Sequence, residues 1–333
     1  MVPIVNEVIA LLLDAGAALS DGMAPRFALD DMIAPPAVVL PHDCDVLNGN
    51  DYITQAIRIY RIFQPLGRGR LPKFGLLPTI AENFLDPHRY YLKNLLAMME
   101  VEQRFGFRSV LYILNGTGGR FGARSDHRSY SALIEGTPTG WEVGIHYNYD
   151  TFDSPKRFGA QLDEIQSLSG QLVISGRAHY LRFDPLVSPS FVSNRGVQFD
   201  ESVGWTGQNG YRAGIAAPFF PLDPATGNPL PLIELPLMFM DANLSHGADG
   251  FAIFSEMFTH LKKIGGGPEP FVPSRNVRQP GEAGSHRAYA RVLQHHRENG
   301  ARNYLPRDIV RIAGDLRSGR LLPTEMMTGR LGR

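Results

Sequence analysis

Short apolar runs alternate with polar stretches marked by glycine and proline along most of this chain. "AVVL" after Pro35-Pro36, "SVLYIL" from Ser109 to Leu114, "WEVGIH" from Trp141 to His146 and "QLVIS" from Gln171 to Ser175 each have the length and content of a buried strand. "GVQFD" and "ELPLMFMD" read as later strands. Between the strands the period lengthens to that of a helix. Tyr90 to Phe105 places Leu92, Leu95, Leu96 and Met99 on one face. Ser154-Pro155 supplies a cap and a first helical residue, Phe158, Leu162, Ile165 and Leu168 form a stripe, and Gly170 stops it. Phe251 to Ile264 and His286 to Asn299 read as late helices. Ile4, Val8, Leu11 and Leu12 share a helical face near the N-terminus. Glu7, Asp14 and the lack of a basic leader argue for an amphipathic helix there and against a signal peptide.

Strands alternating with helices predict an α/β fold with a mostly parallel sheet or barrel. The stretches "QPLGRGRLPKFGLLP" and "NGTGGRFGARSDHRS" read as loops, and the glycines of the second fit no nucleotide-binding pattern. No repeat, low-complexity tract or linker divides the chain. The expectation is a helical segment over 1–36 packed on one domain spanning 37–333.

Composition narrows the partners. Lys+Arg and Asp+Glu stand at 33 each, so no global field favours nucleic acid or an anionic membrane. A single cysteine, Cys44, excludes a disulfide framework and a Cys-rich zinc site. No apolar run reaches membrane-spanning length, and a cytoplasmic protein is expected. The oligomeric state is left open.

Chemistry gathers at the strand ends. "VVLPHDCD" ends in His42, Asp43 and Asp45, "WEVGIHYNYD" in His146 and Asp150, "VISGRAHY" in Arg177 and His179, "GVQFD" in Asp200 and "LMFMD" in Asp241. Each alone has an ordinary explanation as a cap, turn former or hydrogen-bonded histidine. In a parallel sheet or barrel, however, the carboxyl ends of the strands converge on one face, where active sites form. Asp43 and Asp45, two apart in an extended segment, face the same side. Two carboxylates so close call for a cation beside them. A carboxylate with two imidazoles suits Zn²⁺ or a similar divalent metal with a position open for water, and the second aspartate could serve as base.

On these motifs, from about Pro36 to Ile312, the chain resembles the polysaccharide deacetylases of the NodB-homology type (carbohydrate esterase family 4), in a divergent bacterial branch. The resemblance implies a distorted (β/α) barrel and a metal-dependent amide hydrolase that removes an acyl group from an N-acetylated sugar. The alternatives are hydrolysis of a small amide and a catalytically weak carbohydrate-binding role. In the family an Asp pair gives a base and then a metal ligand, which maps onto Asp43 and Asp45. The His-x-x-x-His motif is matched by His146 but has Asp150 at its second position. "GRAHYLRF" stands where the family has Arg-x-Pro-Tyr. There Arg177 corresponds to the arginine that orients the base, Tyr180 to the aromatic, and His179 replaces the proline. His179 is favoured over Asp150 as the third ligand, beside Asp45 and His146. "FDESVGW" and "GYRAGIAAPFFP" resemble the fourth region, with Asp200 as a catalytic residue and Trp205 and Arg212 in the cleft; Tyr147, next to His146, is assigned to substrate. The family's late histidine, which protonates the leaving amine, has no match in "PEPFVPSRNV", and His246 and His260 are the nearest candidates.

Overall fold

The structure is a computed structural model describing residues 36–240, 250–264, 269–272 and 284–317, with positions 4, 5, 7, 8 and 33. Strands β1 (Ala37–Val39) and β2 (Pro41–Cys44) form one extended run interrupted at Leu40. They are followed by β3 (Val110–Ile113), β4 (Glu142–Tyr147), β5 (Ser175–Ala178), β6 (Phe199–Asp200), β7 (Ile233–Glu234), β8 (Phe239–Met240), β9 (Glu269–Val272) and β10 (Arg302–Asn303). The named strands pair in parallel, in the orders β2-β3-β4-β5-β6-β7 and β10-β1-β9-β8.

Two strand runs belong to both sheets, and this closes a barrel. Run 37–44 pairs with β9 through its first half and with β3 through its second. Run 233–240 pairs with β6 through its first half and with β9 through its second. Pro236 explains the break in the later run, since it has no N–H to give a ladder. The distortion of the barrel thus lies in these two changes of partner.

The helices are α1 (Tyr52–Phe63), α2 (Leu77–Leu85), α3 (Leu92–Phe105), α4 (His127–Gly136), α5 (Pro155–Ser169), α6 (Ser188–Asn194), α7 (Gly250–Ile264), α8 (Gly284–Glu298) and α9 (Pro306–Arg317). α5 has the expected signals: Ser154 accepts from Arg157 N, and Gly170 ends the helix at φ 64°. α1, α2, α4, α6 and α9 arise in stretches where the sequence reading assigned no helix. β5 also differs from expectation, running from Ser175 to Ala178 and not over "QLVIS". A strand reading Ser-Gly-Arg-Ala carries no hydrophobic signature, because its polar groups are bonded inside the barrel.

Side chains alternate between two layers, as a pleated strand requires. Val38, Leu40, Leu111, Ile113 and Ile145 pack outward, in one cluster with α3 and α5. Val39, Val110, Tyr112, Phe199 and Ile233 form a second cluster, inside the barrel, with Ile309 and Ile312 of α9 closing its amino end. The N-terminus of α9 meets Glu142, whose Oε2 accepts from Arg307 N at 3.1 Å. Near the start of the chain, Val5 N donates to Gly214 O and Glu7 pairs with His260 of α7. Residues 9–32, with Leu11 and Leu12, lie outside the described residues, as do Asp241 and His246. No helix among the described residues is long and apolar enough to cross a membrane.

Candidate metal centre

The inner face of the barrel carries a column of polar groups toward its carboxyl end. Its base is Tyr112, whose ring lies where a Cβ at Gly144 would clash, so β4 needs glycine there. Tyr112 Oη donates to Glu201 Oε2 at 2.6 Å. The Arg177 guanidinium lies 5.2 Å from the Tyr112 ring centroid. Its Nη2 is 3.2 Å from Glu201 Oε2, its Nε donates to Glu201 O at 3.1 Å, and its Nη1 donates to Asp43 Oδ1 at 2.9 Å. Burial opposes the guanidinium charge, but Asp43 and then Glu201 more than offset it and raise the Arg177 pKa. Burial pushes Glu201 up to about 7 against the pull of Arg177 and Tyr112.

Above this column stand Asp45, His146 and His179, with one potential ligand atom from each, all within 4.8 Å of one another. His146 Nε2 is 3.3 Å from Asp45 Oδ1 and 4.0 Å from Asp43 Oδ2. His179 Nε2 is 3.8 Å from Asp45 Oδ1. The alternation of β2 accounts for the pairing, since His42 and Cys44 point outward while Asp43 and Asp45 point in. His146 Nδ1 lies 3.0 Å from the carbonyl of Arg177, which fixes Nδ1–H as donor and leaves Nε2 facing the carboxylates. Burial disfavours the His146 imidazolium, but Asp43 and Asp45 outweigh it and raise its pKa. His179 is lowered to about 4, by burial first and by His146 second. The carboxylates of Asp43 and Asp45 that raise the His146 pKa would equally favour a cation between these groups.

The donor set fits such a cation. Zinc–ligand bonds of about 2.0–2.1 Å in a tetrahedron place neighbouring donors about 3.3 Å apart. The separations of 3.3 and 3.8 Å approach that spacing. Directly after His179 the backbone enters the left-handed region at Tyr180 (φ 59°) and Leu181 (φ 50°), a conformation that costs energy in residues with a Cβ. Phe121 and Tyr149 pack on Tyr180, with ring centroids 4.9 and 6.0 Å away, and Tyr180 packs on His179 at 4.6 Å.

Asp150 lies outside the donor group. Its Oδ1 accepts from Asn148 Nδ2 at 2.8 Å, and the same amide donates to Gly118 O at 2.7 Å. A Cβ at Gly118 would overlap the Asp150 carboxylate, so loop and turn fit together only through glycine.

Asp200 and Tyr147 require correction. Both point to the outer layer of the barrel, where Tyr147 packs edge-on against Phe158 of α5. Tyr147 Oη donates to Asp200 Oδ2 at 2.9 Å and lies 2.8 Å from Ser202 Oγ. Ser202 N donates to Asp200 Oδ1 at 3.0 Å. The residue that faces Arg177 is Glu201, one position later, because successive strand residues face opposite sides. Sequence reasoning missed Glu201, Tyr112 and Glu234. Trp205 and Arg212 contact each other, the guanidinium 5.3 Å from the indole centroid. His260 pairs with Glu7 at 3.2 Å.

The outer pair has a pH consequence. Burial pushes Asp200 up to about 6 despite its bonds from Ser202 and Tyr147. Glu234 is raised well above the usual range, by burial first and then by Asp200. The folded chain therefore holds a proton that the unfolded chain releases. This stabilisation is complete below the ordinary carboxylate value of 3.8 and is lost as pH rises through about 6. The urea midpoint is expected to fall between pH 4 and pH 7 for this reason. Asp200→Asn, which keeps an acceptor for Tyr147, should flatten that slope; an unaltered slope would assign the titration to other groups.

No protein-family model matches the chain, and no curated protein matches its sequence. Solved structures do match its fold. A protein described as a polysaccharide deacetylase from Pseudomonas aeruginosa PAO1 is 15% identical, with a TM-score of 0.56 over 88% of this chain and 96% of its own. Puue allantoinase is 13% identical, with a TM-score of 0.55 over 88% and 95%. A protein described as a polysaccharide deacetylase from Mycobacterium smegmatis is 14% identical, with a TM-score of 0.51 over 86% and 92%. The chain has the barrel fold of these proteins.

Proposed function

We propose that the chain is a metal-dependent amide hydrolase that removes an acyl group, acetyl in the first instance, from an N-acylated sugar. The observation that carries this reading is the joining of two units. Asp43 is held by Arg177, and it faces His146 beside the donor atoms of Asp45 and His179. Asp45, His146 and His179 would hold a divalent ion, and one carboxylate with two imidazoles favours Zn²⁺. Such an ion, when bound, polarises a carbonyl and makes water a stronger acid.

The protein's own groups do the rest. Arg177 fixes one oxygen of Asp43, so that the other, Oδ2, faces the site and takes the proton from the attacking water. Glu201 and Tyr112 hold the guanidinium from below. The Arg177 carbonyl sets the tautomer of His146 and so the direction of its lone pair. A planar arginine is needed here, because it reaches Asp43 and Glu201 from one rigid fork.

A small cyclic or linear amide is the second reading. It is favoured by the Phe121–Tyr149–Tyr180 rings packed beside His179 and by the fold shared with an allantoinase. Release of acetate from N-acetylated glycans, measured beside ammonia or acid release from small amides, separates the two. The purified protein is expected to hold about one divalent ion per chain, and His146→Ala to lose it. Elemental analysis showing equal metal in both would remove His146 from the centre.

A further inference from the structure

Helices α1 and α2, inserted between β2 and β3, are built inside out. The buried positions of α1 are Thr54, Gln55, Arg58 and Ile62, and those of α2 are Thr79 and Asn83. Arg58 ties the two helices to the body of the protein: its Nη1 donates to Thr79 O at 3.2 Å and its Nη2 to Tyr91 Oη at 2.7 Å, while Asn83 Nδ2 donates within α2 to Thr79 O at 2.8 Å. The hairpin cannot turn its apolar side chains inward without breaking the Arg58 bonds.

The two helices and the segment joining them expose large apolar side chains, among Arg68, Arg70 and Lys73 of that segment. Tyr52 is 94% exposed, Leu71 and Leu85 are each 87% exposed, and Tyr60, Phe74 and Phe84 are more than half exposed. Phe63 and Phe74 stack edge-on at 6.4 Å, which joins the face of α1 to the segment leading into α2. At about 200 Å² for a large side chain, those six alone offer about 900 Å². Each partner in a stable complex contributes about 800 Å², and the largest apolar patch on a monomer is about 300–600 Å².

We propose that this hairpin is a self-association surface on which a second copy of the chain packs, face to face. The area is sufficient, and the composition is that of an interface. Tyrosine, phenylalanine and arginine are the residues enriched at protein contacts, and Arg61, in the last turn of α1, flanks the apolar face. The contact would adjoin the metal centre's rim, since Arg124 Nη1 of the 115–126 loop lies 3.8 Å from Asp51 and donates to Thr54 Oγ1.

Sedimentation of the full chain tests this. Wild type should run at twice 36.8 kDa at micromolar concentration. Tyr60→Glu and Phe84→Glu should each raise the dimer dissociation constant about 30-fold or more, the factor for losing one hot-spot residue. Both side chains are exposed in the single chain, so circular dichroism should be unchanged. Three outcomes would overturn the proposal: a wild type that stays monomeric at about 100 µM, dimers indifferent to both substitutions, or monomers that sediment with anionic vesicles. The substitutions leave every residue of the metal centre in place, so failure here does not bear on hydrolysis.

Discussion

Asp43→Asn should keep its metal and lose about 10²–10⁴-fold in turnover, the usual cost of removing a general base. The expectation follows from how Asp43 is held. Its Oδ1 takes the Arg177 Nη1 hydrogen bond at 2.9 Å, so an asparagine would turn its carbonyl to the guanidinium. The amide nitrogen would then stand where Oδ2 faces His146, and it cannot accept a proton from water. Asp45→Asn should behave differently, because the charged oxygen nearest both imidazoles becomes neutral, and the metal itself should be lost. Elemental analysis and single-turnover acetate release separate the two variants. Metal lost from Asp43→Asn and retained by Asp45→Asn would exchange the two roles.

The second large effect concerns the third ligand. His179→Ala should lose metal and activity together, with affinity falling by more than the 10–100-fold typical of removing an outer partner. Asp150→Ala should keep the metal and lower stability by about 1 kcal/mol, the scale of one hydrogen bond. The structure supplies the reason. His179 Nε2 shares Asp45 Oδ1 with His146, whereas Asp150 holds Asn148 and fits against Gly118. Isothermal titration of the metal-free variants with zinc measures both. A stripped Asp150→Ala beside a metal-loaded His179→Ala would reverse the assignment.

Much of this site is legible in the sequence, for identifiable reasons. The one-residue spacing of Asp43 and Asp45 fixes a shared face as soon as β2 is recognised. His146 follows from an apolar strand that stops on a histidine, and α5 from a cap, a proline, a stripe and a glycine. Asp200 was mistaken for its neighbour because β6 has only two residues, too few for alternation to show which one points inward. Glu201 therefore went unseen, although it lies between Asp200 and the serine that bonds it. β5 was misplaced because its polar residues are satisfied by partners distant in sequence. α1 and α2 carry a helical period that the reading passed over, and that period could not have told that their apolar residues face solvent.

The two strand runs that change partner give the chain an order of assembly. Val38 pairs with Glu269 and Ala37 with Arg302, so the seam that shuts the barrel joins segments far apart in sequence. Contacts of such sequence separation form slowly, because a long loop must close before they contribute. The candidate donor atoms lie on a much shorter span, from Asp45 to His179, within a block of neighbouring strands β2 to β5. During translation that block emerges while β1 still lacks β9 and presents an open edge, the kind of surface on which other chains add strands. A cation captured early by the half-built barrel would hold β2, β4 and β5 in register through this interval.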